Sequence, residues 1–177
     1  LKPLVDRILP IFENGQLSKQ DPSFWAARAY KTFCSDGVID RGLFSIFFLN
    51  LLKLSPGQVI FQDAGLLHAY LEGQNIELMA NSDNVLRGGL TQKHIDVNEL
   101  MKNVDFSPVN PRVVKSAKGR SPFEKIYPTP AADFELHVYE LPSGANERIG
   151  SDTADIYLIL SGSVEVKDEI SSLSLNK

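Results

Sequence analysis

The sequence predicts a mainly β fold, an antiparallel sandwich or barrel, behind about forty helical residues. Three observations lead there. Short apolar runs succeed one another from residue 43 onward, cut by turn residues at Ser55-Pro56-Gly57, Gly73 and Asn81-Ser82-Asp83-Asn84. Helical spacing is confined to the first part of the chain and to one stretch around residue 100. Of 177 residues, 43% are hydrophobic and 23% charged, which is enough apolar material for a packed core.

Leu4, Val5, Ile8, Leu9 and Phe12 recur at helical spacing, and Pro10 is expected to kink or end that helix. Asn14 to Ser18 reads as a turn. Asp21 then caps a second helix with Pro22 at its first position, and Trp25, Ala29 and Phe33 stack on its inner face. Ser35-Asp36-Gly37 ends it. GLFSIFFLNLLKL reads as a buried strand, QVIFQD as a second, and HAYLEG, NIELMA and VLRGGL as further short strands. Asp96 to Val104 reads as a helix, with Asp96 and Glu99 as a capping pair and Val97, Leu100, Met101 and Val104 as its apolar stripe. Residues 105–132, rich in Pro, Ser and Lys, read as a long crossing or linker. FELHVYEL and DIYLILSGSVEV are the last strands, the second turned at Gly162. The polar SSLSLNK offers no evident closing strand, so these two are expected to lack partners within the chain.

Composition excludes several classes of function. Eighteen Lys and Arg against 22 Asp and Glu give a formal charge of -4, which argues against broad nucleic-acid binding. A small anion would need a local cluster of basic groups. Cys34 is the one cysteine, so there is neither an internal disulfide nor a cysteine-based zinc site. The longest apolar run, Leu43 to Leu54, is broken by Ser45, Asn50 and Lys53 and falls short of the ~20 residues a membrane span needs. LKPLVDRILP has no basic region followed by an uninterrupted apolar stretch. A soluble, cytoplasmic protein without membrane or nucleic-acid partners is expected. A start at Leu1 rather than Met suggests a piece of something longer.

The chemistry-bearing residues concentrate between Gln58 and Lys93, where His68, Glu77, Asp83, Arg87 and Lys93 lie close together in sequence. By residue type alone, His68 is either a structural histidine beside a turn or a metal ligand, with Glu77, Glu72 and Asp63 as conceivable companions. Glu77, among Ile76, Leu78 and Met79, either faces solvent or lines a cavity, where it could transfer protons. Arg87 is either half of a surface salt bridge or a guanidinium clamp on a phosphate or developing oxyanion. Gly88-Gly89 after it permits close approach of backbone or ligand. Lys93 reads as a solvated lysine. The SDN stretch reads as an Asx-turn.

The run HAYLEGQNIELMANSDNVLRGGLTQK resembles the type I mannose-6-phosphate isomerases (phosphomannose isomerases). Their pattern is HAY, an aliphatic residue, any residue, G, two residues, an aliphatic residue, E, any residue, MA, any residue, SDN, two residues, RAG, any residue, TPK. Gly88 stands where that family usually has Ala, and Gln92 where it has Pro. FWAARAYKTF, the run into HAY, and HIDVNELMKNV are similar to the family as well. The resemblance implies a cupin-like jelly-roll fold, with residues 1–40 ending a helical insert, 41–131 part of the catalytic jelly-roll with its capping helix and linker, and 132–177 the start of a second jelly-roll. It implies an enzyme that interconverts mannose 6-phosphate and fructose 6-phosphate with one zinc ion. His68 then maps to the second of two zinc-ligating histidines; the family's Gln, first His and Glu ligands precede the part matched here. Arg87 maps to a catalytic arginine, and Glu77 and Lys93 to pocket residues. Glu77 is a candidate catalytic base and Lys93 a substrate-binding group. The competing expectation is a non-catalytic cupin that binds a sugar phosphate or a protein partner, or one whose motif residues serve packing alone.

Overall fold

The computed structural model describes residues 1–82 and 84–177. It divides into two compact units, Leu1–Glu140 and Leu141–Lys177. The division falls inside the stretch 132–177 that the resemblance assigned to a second jelly-roll.

The first unit opens with α1 (Lys2–Glu13) and α2 (Pro22–Phe33). α1 does not end at Pro10 but continues to Glu13. Leu9 and Phe12, on either side of the proline, pack against the α1–α2 core, and Phe12 meets the Phe24 ring at 5.1 Å. That packing offsets the backbone hydrogen bond that Pro10 cannot donate. α2 starts as its sequence dictates: the Asp21 carboxylate accepts the Ser23 amide at 2.8 Å. Val5 and Ile8 of α1 meet Ala26, Ala27 and Ala29 of α2, the small alanines letting the helices come close. Phe33 departs from expectation, being exposed, while Trp25 is buried with its indole N–H donating to the Lys19 carbonyl at 2.8 Å.

The run from residue 43 is not the buried strand its Phe, Ile and Leu content suggested. It is a 3-10 turn (Arg41–Phe44) leading into α3 (Ser45–Phe48). Asp40 nucleates it by accepting the Gly42 amide, and Leu43, 1% exposed, plugs the core beside Val5 and Ala29. Burying such a side chain is worth about 2 kcal/mol. HAYLEG, NIELMA and VLRGGL also form no strands among the described residues. QVIFQD supplies only β1 (Val59–Ile60), which pairs antiparallel with β2 (Val113–Val114). α4 (Val97–Asn103) lies where it was expected, capped by Asp96 accepting the Glu99 amide at 2.9 Å. Of its apolar stripe, Leu100 is buried while Val97 and Met101 are exposed.

The supposed linker carries structure. β3 (Ala117–Lys118), β4 (Glu124–Tyr127) and β5 (Leu136–Tyr139) form an antiparallel sheet in that order. So FELHVYEL does have a partner, in register Glu124↔Tyr139 to Tyr127↔Leu136. Tyr127 is buried and its hydroxyl donates to the Gly57 carbonyl at 2.8 Å, tying the sheet to the turn before β1. In the second unit β6 (Ser163–Lys167) pairs with β7 (Ser172–Asn176) across a turn in which Asp168 accepts the Ile170 and Ser171 amides. SSLSLNK is thus a closing strand after all. Ile156, Leu158 and Leu160, in the apolar stretch before Gly162, are exposed and belong to no strand. The mainly β expectation therefore holds in part: seven short strands, none beyond five residues, accompany four α-helices among the described residues. No described helix is long and apolar enough to cross a membrane.

One charged side chain is buried among the described residues, Glu124. It accepts from the Tyr139 hydroxyl (2.6 Å), His137 Nδ1 (2.7 Å) and the Arg120 amide. The other His137 nitrogen meets Glu135 at 3.0 Å. A Cβ on Gly119 would collide with the Glu124 carboxylate, so the turn there needs glycine. The bonds from Tyr139, His137 and the Arg120 amide hold the Glu124 carboxyl down to about 2. Burial pushes His137 down, but its bonds to Glu135 and Glu124 outweigh it and leave the imidazole above its ordinary value. A depressed carboxylate contributes stability above its unfolded pKa and loses it as pH falls through the folded value. A raised imidazole contributes below its unfolded pKa and loses it as pH rises through the folded one. Thermal unfolding of the first unit should therefore be most resistant between about pH 5 and 6.5, weakening on both sides. In the His137→Gln variant the alkaline decline should vanish, and Glu124→Ala should cost about 3 kcal/mol. A melting temperature flat from pH 6 to 8 in the unsubstituted protein would contradict this arrangement.

Candidate active site

The segment from Gln58 to Lys93 has almost no regular structure of its own, so other elements must hold it. Asp40 is the principal holder. Its Oδ1 accepts the Gly42 amide at 2.7 Å and its Oδ2 accepts the Leu90 amide at 2.9 Å. Leu90 sits in the left-handed region at φ 49, and its side chain packs into the core formed by Val5, Ala29 and Leu43. Gly89 has φ 139, and a Cβ there would lie 2.9 Å from Gly42 Cα. Two backbones touch at this point, and only glycine allows it. The turn that follows Arg87 is thus fastened to the N-terminal helical region.

α4 holds the approach to His68. The Gly65 carbonyl accepts the Asp105 amide at 3.0 Å, and a Cβ on Gly65 would meet the Asn103 carbonyl at 2.7 Å. A Cβ built on Gly88 would meet the Leu67 methyls at 3.2 and 3.7 Å and that of buried Leu100 at 3.9 Å. The residue before His68 therefore lies against the residue after Arg87, although 19 positions separate His68 and Arg87 in sequence.

His68 is exposed, and its Nδ1 is 2.9 Å from the Leu66 carbonyl. A carbonyl can only accept, so Nδ1 is the donor there, and in the neutral imidazole this leaves the lone pair on Nε2. The Tyr70 ring meets the His68 ring edge-on at 6.2 Å. Partial burial first, then the neighbouring Glu77 carboxylate, hold the Tyr70 phenol above its ordinary pKa. Structure thus gathers His68, Tyr70 and Glu77. Sequence reasoning misses Tyr70, for which its place two residues after His68 is the available signal. Glu77 itself is exposed.

Glu72 takes a different role from the ligand it was asked to be. It pairs with Lys19 and, at 2.6 Å, with Arg28, whose guanidinium lies 5.5 Å from the Trp25 ring centre. It tethers the HAYLEG segment to α2. The Arg87 side chain is half-buried and Lys93 is exposed. Neither forms an ion pair among the described residues, so two cations remain open to an anion. Asp83 lies outside the described residues. No three His, Cys, Asp or Glu side chains among the described residues come together as a metal site. Two shallow hollows lie elsewhere, one of about 180 Å³ along β6 and β7 and one of about 480 Å³ around Phe33, Asp36 and Val38.

No family model matches the chain. Among curated proteins, the mannose-6-phosphate isomerase of Salmonella typhimurium is 38% identical over 164 residues, 92% of this chain and 41% of that protein. The mannose-6-phosphate isomerase of Mus musculus is 44% identical over 130 residues, 71% of this chain and 31% of that protein. Among solved structures, mannose 6-phosphate isomerase from Salmonella typhimurium bound to substrate (f6p) and zinc matches with a TM-score of 0.70 at 32% identity. That match covers 97% of this chain and 43% of that chain. The chain spans less than half the length of the curated relatives it matches.

The two glycines after Arg87 should answer differently to a methyl group. Gly88→Ala meets only the flexible end of Leu67, so stability should change by no more than about 1 kcal/mol. Gly89→Ala meets Gly42 backbone at an unfavourable φ, and should cost about 2 kcal/mol or more. Thermal or denaturant unfolding of the two variants checks this; equal effects would mean the backbones do not touch.

Proposed function

We infer, from a chain that is a relative of the mannose-6-phosphate isomerases over less than half their length, that it forms part of a zinc-dependent isomerase interconverting mannose 6-phosphate and fructose 6-phosphate. The observation that carries this is the run from His68 to Lys93, which matches the family's pattern at all but two of its specified positions. In the complete protein the short strands would be completed into a cupin-like jelly-roll and the start of a second one, and the remaining zinc donors would come from outside this chain.

The chemistry of His68 suits zinc. An imidazole fixed by Nδ1–H to a backbone carbonyl presents the Nε2 lone pair, the usual outer arrangement of a metal-bound histidine. Zinc would orient and polarise the sugar oxygens. The reaction moves a proton between neighbouring carbons through an enediolate. Arg87 would stabilise the oxygen on which charge develops. Lys93, exposed and unpaired among the described residues, would meet the phosphate as a point charge. Glu77 is the candidate to accept and return the proton, with Tyr70 as its neighbour. These two cations also answer how a chain of charge -4 takes an anionic substrate.

The complete protein carrying this chain, supplied with zinc, should interconvert the two sugar phosphates and stop when a chelator is added. Arg87→Ala should lower kcat by about 10²- to 10³-fold, while Lys93→Ala should act mainly on KM. A zinc-loaded protein that binds the sugar phosphates without interconverting them would establish the non-catalytic binding alternative instead.

A further inference from the structure

We propose that Asp40 is a positioning residue for Arg87, so that the helical N-terminal region takes a direct part in the geometry of the site. This rests on the isomerase reading above. Arg87 makes no ion pair among the described residues, so its own side chain does not set its place. What sets its place is the turn that follows it. Leu90 is held there by its amide on Asp40 Oδ2 (2.9 Å), by its side chain in the Val5–Ala29–Leu43 core, and by the contact of Gly89 with Gly42. The same carboxylate accepts the Gly42 amide at 2.7 Å, so one group binds two backbones 48 residues apart in sequence. Asp40 touches no candidate site residue itself.

Two acceptor oxygens are required, because both partners are N–H donors. An asparagine offers one oxygen and one NH₂ group, and the NH₂ would face a donor. Asp40→Asn therefore keeps shape and volume but releases either Gly42 or Leu90. The left-handed backbone at Leu90 then loses its restraint, and the Arg87 guanidinium loses its fixed approach. Misplacing a stabilising group by about 1 Å can cost a factor on the order of 10² in rate. Binding contacts that hold the sugar in its ground state are left in place.

The test is a double-mutant cycle in the complete, zinc-loaded protein. Asp40→Asn should lower kcat about 10- to 100-fold while KM stays within about twofold. In an Arg87→Ala background the same substitution should change the residual rate by less than about twofold, because the group it positions is gone. Zinc content should match that of the unsubstituted protein. If Asp40→Asn fails to fold, Gly42→Ala carries the same cycle: its methyl would lie 2.9 Å from Asp40 Oδ1 and 3.0 Å from Leu90, displacing the same contact. Additive losses in the cycle, or a loss confined to KM, would overturn the positioning role. If Arg87→Ala alone leaves the rate unchanged, the isomerase reading of Arg87 fails first and the positioning role falls with it. If Arg87→Ala abolishes activity but Asp40→Asn does not alter it, only the positioning role fails.

Discussion

A single carboxylate with two amide partners decides how this chain is arranged. Asp40 ends the linker after α2, starts the turn that carries Leu43 into the core, and receives Leu90 from a distant segment. Each hydrogen bond to a charged acceptor is worth ~1.5–3 kcal/mol when water is excluded. The close contact of Gly42 with Gly89 excludes it from one side. Without this junction the Gln58–Lys93 segment is held by a two-residue strand, the Gly65–Asp105 hydrogen bond at the end of α4 and an exposed ion-pair tether.

The other polar junction, around Glu124, is built on the opposite plan. Asp40 joins backbone to backbone, whereas Glu124 on β4 gathers two side chains from the neighbouring β5 and one amide from a turn. Its partners can change protonation and those of Asp40 cannot. The β4–β5 sheet therefore answers to the state of His137, whereas the candidate site rests on a junction whose donors are backbone amides.

What could be read in the sequence was local. Asp21-Pro22 and Asp96 announce helix starts because a cap acts on amides two or three residues away. FELHVYEL announces a strand by its own pattern. The Leu43–Leu54 run is ambiguous in sequence because a short stretch of Phe, Ile and Leu fits a strand or a helix equally well. The deciding group, Asp40, lies just before it. SSLSLNK was judged by its polarity, when its alternation of Ser and Leu was the better guide to β7. The proline and lysine content of residues 105–132 hides β3 and β4, which exist as strands only through pairing that ends on β5. Among the candidate residues, His68, Glu77, Arg87 and Lys93 were legible as a motif. The Glu72 tether and the Asp40–Leu90 bond are not, because each depends on which distant segments meet.

Ile156, Leu158 and Leu160 carry a consequence for handling the polypeptide. Three large aliphatic side chains stand in water, Ile156 almost fully so at 97%, on a stretch whose backbone pairs with nothing among the described residues. Such a stretch is a ready template for adhesion between molecules. In concentrated solution the isolated chain would be expected to clump through this end, and a charged replacement at Leu158 would keep it dispersed without disturbing either the Asp40 junction or the β4–β5 sheet.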